Sequence, residues 1–252
     1  MKWNIKDCGD GIEKLAAQIL PKDVAETYNK FWGNYIGHRN GKPINIAGIS
    51  DEDNLIRLKL GQWCYTLLQN HLILNYIQKE IPDKIQNNSQ VLHSLRLFTE
   101  VTNTLYNSGE LINKYNSDFD NSNINISWFN DFIEFRNTIT HNIRPLYSIS
   151  ENQLLVPSNF QWFSLNSSGS TRWIWPIDNF DGIEYSPLKS FVFEMNARHK
   201  QLLFDLINAS LNTAKEIFNE KVIDPPTSFD CKTISTLGLT SGDLFVSGAG
   251  DF

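Results

Sequence analysis

The chain has 252 residues, of which 41% are hydrophobic and 20% charged, a composition that buries a full core and excludes a disordered tail or a fibre. The net charge of −6 excludes a general nucleic-acid sponge, because affinity without sequence preference comes from Lys and Arg neutralising phosphates; one local basic site stays compatible with it. No run approaches the roughly 18 to 20 apolar residues of a membrane span, and the opening MKWNIKDCGDGIEK lacks the apolar centre of a signal peptide, so the expected location is the cytoplasm, away from membranes. Cys8, Cys64 and Cys231 are far apart, odd in number and without CxxC spacing, which favours neither a disulfide framework nor a zinc site. No cofactor and no metal are expected.

Helical periodicity dominates the chain. Residues 11–36 place Leu15, Ile19, Val24, Tyr28, Phe31, Trp32 and Tyr35 at helical spacing, with a break at Pro21 and a fresh helix after it. The second segment runs from SDEDNLIRLKLGQW to its stop at Pro82; Ser50 or Asp51 can cap it and acids fill its first turn. A third helix is expected over Ser89–Tyr115, with Gly109 bending it or ending it early. A fourth begins at Ser127 and stops near Pro145. The fifth covers Pro187–Glu220, with proline in its first turn. Five long helices joined antiparallel predict a mainly all-α bundle.

Two segments break the pattern. Residues 147–186 hold QLLVP, FQWFSL, the turn-like NSSGS and TRWIWPI, read as a β-hairpin inserted between the fourth and fifth helices. Residues 222–252 carry Pro, Ser, Thr and Gly with no helical period and are expected to form an irregular tail. The organisation is therefore a helical domain over 1–221, carrying the β-rich insertion, followed by that tail. The Asn- and Asp-rich NSDFDNSNINIS before the fourth helix lacks the Gly and the closing Glu of a calcium loop and reads as a solvated linker.

The fourth helix holds the residues of chemical interest. In EFRNTITHN, residues 134–142, Arg136 lies about 40° around the helix from Phe132 and about 60° from Ile133, beside the apolar face. Asn130, Glu134, Asn137 and His141 follow a 4, 3, 4 spacing and form a polar stripe on the flank. A guanidinium near a core must be paired or hydrogen-bonded. One reading is structural: Arg136 pairs with an acid such as Glu134, and His141 sits favourably at the negative end of the helix dipole.

The run Arg136-Asn137-Thr138-Ile139-Thr140-His141, an Arg followed by a polar residue and, four residues beyond that, a His near the end of a long helix in an all-α bundle, resembles the signature of the HEPN superfamily. The resemblance rests on six residues and their placement. It implies a metal-independent endoribonuclease of stress-response, toxin–antitoxin or antiviral defence type. It further implies RNA as substrate, a homodimer with the site where two motif helices meet, and an antitoxin or other regulatory protein as partner. On that reading Arg136 and His141 are catalytic, with Asn137 and Glu134 supporting. Elementary chemistry agrees: cleavage without a metal needs a proton acceptor for the 2′-hydroxyl, a donor for the leaving 5′-oxygen and positive charge on the phosphoryl oxygens. His and Arg supply these roles. About 140° separates the two side chains on a regular helix, so a distorted last turn or a partner protomer has to complete the site. Two other classes stay open, a catalytically inactive HEPN-like module binding RNA, nucleotide or protein, and a helical interaction protein with a structural Arg/His network.

The remaining notable residues are ordinary. His38 in GHRNG reads as a loop residue, His71, His93 and His199 as isolated packed or surface histidines, and Trp162, Trp173 and Trp175 as hairpin aromatics available for packing or base stacking.

Overall fold

In this computed structural model the structure describes residues 20, 22–36, 38–39, 42–43, 45–46, 49–119, 124–141, 147–166, 182–218 and 222–223. The helices are α1 (Lys22–Phe31, continued by a π-type turn Trp32–Ile36), α2 (Asp51–Glu80), α3 (Asn88–Asp118), α4 (Phe129–His141), α5 (Phe160–Asn166) and α6 (Leu188–Phe218). The short strands are β1 (His38–Arg39), β2 (Lys42–Pro43), β3 (Asn45–Ile46), β4 (Ser148–Ser150), β5 (Gln153–Pro157), β6 (Tyr185–Pro187) and β7 (Val222–Ile223). The mainly-α bundle with a small β insertion is what the periodicity predicts. No helix among the described residues is long and apolar enough to cross a membrane.

Local chemistry sets the helix starts. Ser50 caps α2 by accepting from the Asp53 amide at 3.1 Å, ahead of Asp51, Glu52 and Asp53 in the first turn. Asn87 caps α3 by accepting from the Gln90 amide at 3.0 Å, and Gln90 Oε1 accepts from the Gln86 amide. At the far end of α3 the Asn116 side chain clamps Ile124, donating to its carbonyl and accepting from its amide, each at 2.9 Å. The segment read as a solvated linker is thus pinned at its end, with Ile124 buried.

Helices α2 and α6 run antiparallel, as Cys64 opposite Ser210, His71 opposite His199 and Asp83 bound to Lys189 require. Helix α3 runs antiparallel to α2, tied by Lys59 to Asp118 and by Asn70 to Ser108. Helix α1 packs on α6, and α4 packs on α3 and α5. The apolar interior falls into two clusters. One joins α1, the N-terminal half of α2 and the C-terminal half of α6; the other gathers Leu74, Leu105, Met195 and the aromatics of α4 and α5.

Gly109 does not end α3. The helix runs nine residues past it to Asp118, and a Cβ there would overlap the Phe129 ring. Glycine at this point lets α4 press its first residue against α3. From there Phe129, Phe132 and Phe135 form a continuous aromatic line, with adjacent centroids 6.3 and 5.7 Å apart, ending against Phe160 at 4.7 Å and Phe163 at 5.0 Å. Burial of each ring contributes on the order of 2 kcal/mol.

The insertion contains a three-stranded antiparallel sheet in the order β4-β5-β6. QLLVP is a strand as expected, while FQWFSL is helical: it lies in α5, because Phe160 and Phe163 at a three-residue spacing both face the aromatic line of α4. The described hairpin turns at Glu151–Asn152, both at positive φ (50° and 59°); Asn166, the first residue of NSSGS, ends α5, and the rest of that expected turn lies outside the described residues with TRWIWPI. β7 pairs Val222 and Ile223 with Ile46 and Asn45, so the first residues assigned to the irregular tail form a strand; residues 224–252 and 1–19 lie outside the described residues.

Substituting Gly109 by alanine sets a gain in helix propensity of about 1 kcal/mol against overpacking of about 1 to 3 kcal/mol. The buried ring has nowhere to go, so overpacking wins. Gly109→Ala is expected to melt several degrees below the wild type in a thermal scan, with part of the loss recovered by Gly109→Ala/Phe129→Leu; a melting temperature at or above wild type contradicts the close approach.

Candidate functional site

Arg136 is half-buried on α4, one turn beyond Phe132. Its Nε donates to Asn103 Oδ1 at 3.3 Å, its Nη1 donates to Asn137 Oδ1 at 3.2 Å, and its guanidinium carbon lies 4.5 Å from the centre of the Tyr106 ring. Asn103 and Tyr106 are three apart on α3, so one face of that helix supplies both contacts. All three partners are neutral. Among the described residues no carboxylate reaches Arg136, and the expected structural pairing with Glu134 does not form; Glu134 is half-buried on the same helix. Asn137, expected in a supporting role, directs its side-chain oxygen to Arg136. His141 is the last residue of α4; its side chain lies outside the described residues.

Arg57 on α2 shows the alternative fate of an arginine. Its Nε donates to Asn54 Oδ1 at 3.2 Å and its Nη1 to the Tyr35 carbonyl at 3.3 Å, tying α2 to the π-type turn, and burial lowers its pKa. A main-chain acceptor on another element makes that arginine a structural strut. Arg136 has side-chain acceptors and an aromatic face only, and most of its N–H donors keep no protein acceptor among the described residues.

The second polar constellation was not visible as one in the sequence. His71 and His199, which read as isolated, stack with centroids 5.5 Å apart and planes 9° from parallel, both buried. Ser108 Oγ donates to the Thr104 carbonyl at 2.8 Å and accepts from Asn70 Nδ2 at 2.9 Å. Its remaining lone pair therefore accepts from His199 Nε2–H at 2.9 Å, which places the ring proton on Nε2 and leaves Nδ1 without a partner among the described residues. One helical turn away, Asn196 Nδ2 donates to Asn75 Oδ1 and Gln78 Oε1, each at 2.7 Å. A serine 2.9 Å from a histidine superficially resembles a nucleophile and its base. Here the hydroxyl proton is committed to a main-chain carbonyl and both residues are fully buried, so the pair holds helices together.

The remaining candidates fall elsewhere. Cys64 is buried, bonded to Ser210 at 3.4 Å, and burial pushes its thiol up to about 12, which removes it as a nucleophile. His93 is exposed on α3. His38 is in β1, paired with Pro43, rather than in a loop. Trp162 lies on α5, edge-on to Phe163 at 5.0 Å, so it packs the insertion; Trp173 and Trp175 lie outside the described residues. Among the described residues no group of three His, Cys, Asp or Glu is placed to hold a metal ion. No family model, curated protein or solved structure matches this chain.

The histidine pair makes stability depend on pH. Burial, then the charge of Lys200, lowers His71 from 6.5 to about 4, and burial, then His71, lowers His199 well below its ordinary value. The unfolded chain binds these protons first, so stability is complete above about pH 6.5 and falls as pH drops toward 4. His71 alone accounts for roughly 3 kcal/mol. Urea unfolding at pH 7 and pH 4.5 is expected to show a larger acid loss in the wild type than in His71→Leu; equal losses contradict the neutral buried pair.

Proposed function

We propose that this protein is a metal-independent endoribonuclease of HEPN type, acting in the cytoplasm in stress response or defence. The observation that carries the reading is the state of Arg136: a permanently charged guanidinium, held half-buried by two asparagines and a tyrosine face, with no carboxylate partner among the described residues, five positions before a histidine that ends the helix. A fold that needed only a strut would neutralise that charge or spend it on main chain, as it does with Arg57. The end of α4 carries the equivalent of about half a negative charge from the helix dipole, so a phosphate is held there only if a full positive charge outweighs it. Arg136 provides it.

In the proposed reaction neutral His141 accepts the ribose 2′-hydroxyl proton, the 2′-oxygen attacks phosphorus, and the bond to the 5′-oxygen breaks, leaving a 2′,3′-cyclic phosphate. The leaving oxygen takes its proton from the imidazolium formed, or from that of a second protomer. Arg136 holds the non-bridging oxygens, Asn137 fixes its fork, and Glu134 lines the approach. Because Arg136 and His141 diverge around a regular helix, the site is proposed to be shared across a homodimer in which two copies of α4 face each other, restrained by an antitoxin-like regulatory protein.

RNA cleavage and melting temperature measured on the same variants test this. His141→Ala is expected to abolish cleavage at near wild-type stability, because a histidine at a helix end contributes about 1 kcal/mol or less through the dipole. Arg136→Ala is expected to abolish cleavage and to lower stability by roughly 1 to 2 kcal/mol through its lost hydrogen bonds and ring contact. Mixing the two inactive variants is expected to restore cleavage, since one site of each mixed dimer then holds both side chains. His141→Ala cutting at the wild-type rate overturns the assignment.

A further inference from the structure

The outer face of α2 carries an apolar stripe that no described element covers. Leu55, Leu58, Ile73 and Tyr76 are 55%, 40%, 38% and 61% exposed, and Gln62 and Gln69 lie exposed between them. The spacing 3, 4, 7, 4, 3 puts all six on one side of the helix, opposite the side that meets α6 through His71, Asn75 and Gln78. The order is a palindrome in chemistry as well as position: Leu55 mirrors Tyr76, Leu58 mirrors Ile73 and Gln62 mirrors Gln69, about a centre between Tyr65 and Thr66. No Lys or Arg interrupts it.

We propose that this stripe is the contact face for a second copy of the same chain, with the two α2 helices antiparallel across a twofold axis at Tyr65–Thr66. A twofold contact requires a surface complementary to itself, and antiparallel pairing meets that by setting Leu58 against the partner's Ile73, Leu55 against its Tyr76, and amide against amide in the middle. A polar pair flanked by apolar contacts also fixes the register. Charge decides the direction. Parallel pairing stacks Asp51, Glu52 and Asp53 of one copy on the same residues of the other; antiparallel pairing lays them beside the last turn, where Lys79 offsets Glu80.

The stripe spans about 32 Å at 1.5 Å per residue and about 10 Å in width, roughly 300 Å² per copy, which is below a standard stable interface. The dimer is accordingly weak and concentration-dependent. It is independent of the proposed ribonuclease site: α3 packs against both α2 and α4, so this contact does not require the α4 helices to meet. If an α4 dimer also forms, the α2 contact joins such dimers, and the quantity to read is the association that an α2 substitution removes.

Sedimentation velocity of the full chain from about 1 to about 200 µM provides the test. Wild type is expected to associate within that range. Leu58→Glu and Ile73→Lys, both at exposed positions, are each expected to weaken association at least about tenfold, and the double variant Leu58→Glu/Ile73→Lys to recover to within about threefold of wild type, because only antiparallel pairing sets Glu against Lys. Absence of association in wild type at the top concentration, single variants that associate like wild type, or a double variant no better than the singles each overturns the proposal.

Discussion

The approach of Phe129 to Gly109 governs how the rest of the site half is assembled. With any side chain at position 109, α4 would have to move off α3 by the width of a methyl group or more, and the ring line Phe129, Phe132, Phe135 would lose its register with Phe160 and Phe163. That line is what docks the β-rich insertion on the bundle, through α5. It also sets the rotation of α4, and so carries Arg136 to Asn103 and Tyr106 on α3. The chemistry proposed for Arg136 therefore depends on a contact two helical turns away that contains no polar atom.

The two halves of the molecule treat polarity differently. Between the two apolar clusters, His71, Ser108 and His199 form a buried layer at the level where the sequence passes from Leu67 and Leu68 to Leu74 on α2, and from Met195 to Leu202 on α6. Apolar residues of similar volume would cost the fold less there. What the layer provides is register: the serine accepts from Asn70 on α2 and from His199 on α6, so α2, α3 and α6 cannot slide past one another without breaking a buried hydrogen bond. At Arg136 the partners among the described residues are neutral and the residue is half-buried, which is the arrangement the proposed phosphate contact draws on.

Helix positions were legible in the sequence because burial imposes the 3.6-residue period over long stretches; α2, α3 and α6 end within a few residues of where the period, Ser50, Pro82 and Pro187 put them. FQWFSL misled because an alternating aromatic run is shared by short strands and by one-sided short helices, and only the Phe160 and Phe163 contacts with α4 decide between them. Gly109 misled for a related reason: propensity counts a glycine as a weakness in its own helix, and its use is seen only from the helix that packs on it. The hairpin turn Glu151–Asn152 has none of the usual Asn-Gly or Asp-Gly chemistry. At the site, Arg136 beside the apolar face was legible from angular position. Its neutral partners Asn103 and Tyr106 were not, since they belong to another helix. The pairing of His71 with His199 was hidden in the same way, by 127 residues of intervening chain.

The central claim is that the arginine and histidine at the end of α4 perform chemistry on RNA without a metal. The most direct measurement is the identity of the 3′ ends left when purified wild-type protein is incubated with RNA in excess chelator. The account predicts cleavage that resists the chelator and leaves 2′,3′-cyclic phosphate on one fragment and 5′-hydroxyl on the other. Intact RNA, or fragments carrying 3′-hydroxyl and 5′-phosphate that appear only when divalent metal is present, would contradict it.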